Sequence, residues 1–172
     1  MKSKTIIISL GIALLLVGLY VWSRAVDKSV PVSSAPLLGE AIPDQGRSHV
    51  PIGTAVTYNS NPPSSGPHYA ESAHAGIYDK AISDGYLVHS LEHGAVILWY
   101  RPNLSAAEIE ELKSIYNSVP VKKKIMTPRE SLDVPVALSS WGRILKLNQI
   151  DPQKITDFMR VNYDRAPEQA PI

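Results

Sequence analysis

The 172-residue chain has no cysteine, which excludes disulfides, thiolate metal ligands, iron–sulfur clusters and thiol catalysis. Its fold rests on packing alone. Soft sulfur donors are scarce as well: beyond Met1 only Met126 and Met159 occur, so a copper(I) site is disfavoured. An excess of charge of one sign is also missing. From residue 46 to the end, 13 Lys/Arg stand against 13 Asp/Glu, which leaves no field to gather nucleic acid. The run Lys122, Lys123, Lys124 is the local exception and reads as a solvated strand edge, because lysines guard exposed edges against pairing. No G-x-S-x-G elbow, phosphate-binding loop or dinucleotide fingerprint is present to name a reaction.

The longest apolar run covers residues 5–22, which carry no charge and as a helix span about 27 Å, close to a bilayer core. Tyr20 and Trp22 suit the interface, and Lys2 and Lys4 precede the run. The expectation is a transmembrane signal anchor, with residues 1–4 as a cytoplasmic tail and the C-terminal part extracytoplasmic in a single-pass arrangement. Ser23 and Ala25 satisfy a small-x-small cleavage pattern, but the run exceeds a typical signal core. Residues 23–45, with Pro31, Pro36 and Pro43 among serines and no helical period, read as an extended linker.

Residues 46–172 are expected to form one domain. Its first part is rich in turn formers, and residues 59–68 (NSNPPSSGPH) can be neither helix nor central strand. A buried strand follows over residues 94–100 (GAVILWY). Ser105 and Glu108 make a capping box for a helix whose apolar face is Ile109, Leu112, Ile115 and Tyr116, closed by Pro120. Residues 122–127 suit a second strand, and residues 134–147, interrupted near Trp141 and Gly142, a third strand or a hairpin. Asp151 and Pro152 open a last helix that buries Ile155, Phe158 and Met159. The fold class expected is α/β (α+β): an N-terminal transmembrane helix, then one small two-layer α/β sandwich with a Pro-rich ordered loop region.

All five histidines, His49, His68, His74, His89 and His93, fall between residues 49 and 93. Imidazole is both a common metal ligand and a common base near neutral pH, so a loop-rich region that gathers it is a candidate site. Residues 89–93 match H-x-x-E-H, a zinc-peptidase pattern that works only on a helix. Gly85 and Gly94 bracket the motif and a strand follows at once, which leaves little room for the long helix of those enzymes; if the segment is extended instead, His89, Leu91 and His93 face one way and Ser90 and Glu92 the other. His74 reads as a surface position.

The segments NPPSSGPH (residues 61–68), GIY (76–78), VHSLEHG (88–94) and ALSSWGR (137–143) together resemble the bacterial family known as domain of unknown function 3105. The resemblance covers most of residues 46–168. It implies membrane-anchored or exported domains without an assigned activity, and a convergence of His68, His89, Glu92, His93 and Arg143. Trp141 is expected in the core, with Arg143 as a buried partner of Glu92 or an anion contact.

Three functions follow. The first is an extracytoplasmic metal-binding domain using His68, His89 and His93, with His49 or Glu92 as a fourth ligand; imidazole and carboxylate suit zinc or copper(II). The alternatives are a non-catalytic interaction domain of an envelope complex and a metal-dependent hydrolase. The membrane is the expected partner, and nucleic acid is not.

Overall fold

The structure is a computed structural model that describes residues 31–172. In chain order its elements are β1 (Glu40–Ala41), β2 (Gly76–Ile77), α1 (Asp84–Glu92), β3 (Val96–Tyr100), α2 (Ala106–Ser118), β4 (Lys124–Pro128), β5 (Val136–Ser140), β6 (Arg143–Leu147) and α3 (Pro152–Asn162). The strands make one six-stranded sheet in the order β1-β6-β5-β3-β4-β2. β3 and β4 are parallel, as are β4 and β2, while the pairs on the β5 side are antiparallel. A mixed sheet with three helices is an α+β arrangement.

Each expected element of the C-terminal half is present, for the reasons its residues give. The β-favouring run from Val96 to Tyr100 is buried at every position, so both of its faces are covered. Its Ile97 and Trp99 face a cluster with Leu87 and Leu91 of α1, Ile125 and Ala137. α3 packs on β3 and β5 with Ile155, Phe158 and Met159 buried, none of them in that cluster. Helices therefore flank the sheet on both faces, where two layers were expected. Ser105 and Glu108 form the capping box of α2, and Asp151 caps α3 by accepting from Lys154 N at 3.0 Å. β5 and β6 form the hairpin, with Trp141 and Gly142 as its turn.

The lysine run departs from a solvated edge. Lys124 Nζ donates to the Tyr116 and Val119 carbonyls at the end of α2, at 2.6 and 2.5 Å, satisfying acceptors the helix leaves open. Burial holds its ammonium below the ordinary lysine value. Lys123 donates to His93 O at 2.8 Å and pairs with Asp164.

Two expectations about the N-terminal part change. Leu38 exchanges hydrogen bonds with the Asn162 side chain at 2.9 Å, and Glu40–Ala41 pair with β6, so the end of the expected linker is fastened to the domain. The expected transmembrane helix, and with it the single-pass extracytoplasmic placement, is corrected: among the described residues no helix is long and apolar enough to cross a membrane. The described helices have 9, 13 and 11 residues, against about 20 for a bilayer core. Residues 1–4, 5–22 and 23–30 lie outside the described residues.

Candidate metal centre

The Pro-rich stretch is an ordered loop held by its own polar groups. Residues 62–66 are buried. Gln45 accepts from Asn59 N at 2.8 Å through its side chain and donates its backbone N–H to Ser65 Oγ at 3.1 Å. Tyr58 Oη donates to Pro67 O at 2.9 Å, and Gly142 N to Ser64 O at 2.9 Å. The loop ends at His68, which pairs with His49 in an isolated parallel bridge: Val50 N donates to His68 O at 2.7 Å and His68 N to Ser48 O at 3.1 Å. This bridge sets two imidazoles side by side, their ring centroids 5.1 Å apart.

Residues 89–93 are helical, which overturns the extended reading. α1 runs from Asp84 to Glu92 and ends where Gly94 takes a φ of +87°, the left-handed conformation that commonly closes a helix. His89 and His93, four residues apart, share a helix face, and their Nε2 atoms are 3.0 Å apart. The helix leaves little trace in the sequence because α1 is short and buried on nearly every side, so it shows no amphipathic period.

The cluster combines the loop and the helix. One donor atom each from His49, His68, His89 and Glu92 lie within 4.8 Å of one another. His68, His89 and Glu92 are buried, and His49 is exposed. Glu92 Oε2 is 2.9 Å from His68 Nε2, so the partner of Glu92 is His68. Arg143 instead donates to Gly39 O at 3.3 Å and is not at the site. Trp141 is half-buried beside it, its ring edge-on to His68 with centroids 6.5 Å apart. His74 is exposed and outside the cluster.

Hydrogen bonding fixes the tautomers. His68 Nδ1 is 2.8 Å from Gly66 O, His89 Nδ1 is 2.8 Å from Tyr69 O, and His93 Nδ1 is 2.8 Å from Pro171 O. A carbonyl only accepts, so each of these nitrogens carries the proton. In the neutral rings every Nε2 is then a lone pair. His68 Nε2 has no hydrogen-bond donor although it is fully buried, and what faces it is a carboxylate oxygen. His89 Nε2 meets another lone pair on His93. Lone pairs opposed at these distances require a proton or a cation between them. Burial holds the His89 imidazole below its ordinary value of 6.5, and the neighbouring His93, His68 and His49 add to that depression, so its nitrogen stays free for a metal near neutral pH.

The anchoring groups were invisible in the sequence. Gly66, Tyr69 and Pro171 act through backbone carbonyls, which no side-chain pattern reports. Glu168, 3.4 Å from His93 Nε2, and Arg47, 3.7 Å from Glu92 Oε1, also went unnoticed. Arg47 lies only two residues from His49, the one signal that could have drawn attention to it.

Comparison with protein families matches residues 49–171 to the model described as protein of unknown function (DUF3105). The match spans most of the chain and every donor of the cluster, and the chain belongs to this family. No curated protein and no solved structure matches it.

Proposed function

We propose that the domain binds one divalent transition-metal ion, zinc or copper(II), through Nε2 of His68 and His89, a carboxylate oxygen of Glu92 and the exposed imidazole of His49. The observation that carries this reading is the buried, donor-free His68 Nε2 facing the Glu92 carboxylate at 2.9 Å. A cation with metal–donor bonds of about 2.0–2.2 Å holds tetrahedral ligands about 3.3–3.6 Å apart, so the 2.9 Å contact between His68 and Glu92 opens a little while donors up to 4.8 Å apart draw in. The Nδ1–H bonds to carbonyls are the outer contacts that orient metal-bound histidines and raise their basicity. Glu92 is a ligand in this arrangement and not a free base.

The test is affinity of the full-length chain for zinc and copper(II), read by competition with a chromophoric chelator. His68→Ala and Glu92→Gln should each weaken binding by at least the roughly 10–100-fold that losing an outer contact costs. Unchanged affinity in both variants contradicts the ligand set. Binding should also weaken as pH falls through the imidazole range near about 6.5, because protons compete for the same nitrogens.

A further inference from the structure

The cluster is buried at three of its four residues, His68, His89 and Glu92, and exposed at His49, so an ion among them meets solvent past His49. Arg47 stands at that opening. Residues 46–50 run alongside residues 66–68 through the bonds from Gly66 N to Gly46 O, His68 N to Ser48 O and Val50 N to His68 O, and on such a paired stretch residues two apart leave the backbone on the same side. The Arg47 side chain is 54% exposed, and its Nη1 approaches Glu92 Oε1 at 3.7 Å, longer than a hydrogen bond. Among the described residues its one ion pair is this long contact with Glu92, so its N–H groups are available to a ligand that enters from solvent. The other carboxylate beside the cluster, Glu168, is directed at His93.

Charge makes the same case. Three neutral imidazoles and one carboxylate leave a divalent ion with one uncompensated positive charge, and Arg47 adds a second next to it. A metal with four protein donors can accept a further ligand by expanding its coordination. A guanidinium presents paired N–H groups at the spacing of two oxygens on one carbon or phosphorus, which a spherical halide cannot use.

We propose that the ion held by this cluster takes an oxyanion from solvent, one oxygen on the metal and the others on the Arg47 guanidinium. The ligand class is a carboxylate or a phosphate, free or carried by a larger molecule. This inference rests on the metal reading above.

The experiment uses the full-length chain loaded with cobalt(II), whose visible bands report the coordination of a zinc-type site. Acetate, inorganic phosphate and chloride are titrated separately at constant ionic strength, and metal content is measured on every sample. Acetate or phosphate should shift the bands saturably and chloride should not. Arg47→Ala should weaken the oxyanion by about tenfold or more with metal content unchanged, and Arg47→Lys should fall between, since it keeps the charge and loses the fork. A loaded protein whose bands ignore both oxyanions, or respond equally to chloride, overturns the proposal, as does undiminished affinity in Arg47→Ala. A chain that takes up neither cobalt nor, in parallel samples, zinc or copper(II) overturns the metal reading and this inference together, whereas a loaded but unresponsive chain overturns this inference alone.

Discussion

A single methyl group outside the cluster should disturb the metal. Gly85 lies in the first turn of α1, and a Cβ placed there comes 2.6 to 2.7 Å from the Tyr69 ring, closer than such contacts occur. The ring has little freedom to withdraw. It is buried, packs edge-on against Tyr86 with centroids 4.9 Å apart, and its hydroxyl accepts from Ser83 Oγ at 3.2 Å. Gly85→Ala gains about 1 kcal/mol of helix propensity. Overpacking costs about 1–3 kcal/mol, so a net loss of about 0–2 kcal/mol is expected in urea denaturation. The more telling effect is on affinity. Tyr69 supplies the carbonyl that accepts from His89 Nδ1 at 2.8 Å, so a displaced Tyr69 loosens the orientation of His89. Metal affinity should drop about 10–100-fold, equivalent to about 1.4–2.8 kcal/mol, in the chelator competition assay. A Gly85→Ala protein that is more stable by about 1 kcal/mol, with unchanged affinity, would refute the link from Gly85 through Tyr69 to His89.

The remaining predictions concern the same domain. The metal-free chain should lose stability as pH falls below 6.5, because His89 binds its proton less readily folded than unfolded and acid favours the unfolded state; thermal melts between about pH 7.5 and about pH 5.5 should fall, with a smaller slope once His89 is replaced. Arg129 donates to Asn61 Oδ1 and to Asp84 Oδ1, each at 2.6 Å, and lies over the Trp99 ring, so Arg129→Ala should cost about 2 kcal/mol in urea, and a loss below about 0.5 kcal/mol would show the clamp to be idle. Copper(II) should quench the fluorescence of Trp141, whose ring centre is 6.5 Å from that of His68; a Trp141→Phe chain that binds copper yet quenches as strongly contradicts this placement.

Much of the C-terminal half was legible because each element there announces itself locally. The apolar run at Val96, the box at Ser105 and Glu108, and the Asp151-Pro152 entry all found the elements they specify. α1 was not legible. Its residues from Leu87 to Glu92 are buried, and a helix enclosed on all sides carries no period to read. The two-residue strands β1 and β2 are too short for any alternation to register. Of the five candidate ligands that the histidine pattern offered, His49, His68, His89 and Glu92 have donor atoms within 4.8 Å of one another. What escaped was the pairing: Glu92 turns to His68 and leaves Arg143 on the β6 side, a choice made by the turn of α1. Length and apolarity at residues 5–22 suggested a membrane span that no described helix supports.

The central claim is that four donors meet to hold a cation, and metal stoichiometry tests it most directly. The full-length chain, purified without a histidine tag and dialysed against trace zinc and copper, would be measured by elemental mass spectrometry beside a His68→Ala, Glu92→Gln double variant that still melts cooperatively. The account predicts one ion per chain, lost in the variant. A wild-type chain that retains no zinc or copper would contradict it, and protons alone would then bridge the opposed lone pairs of the cluster.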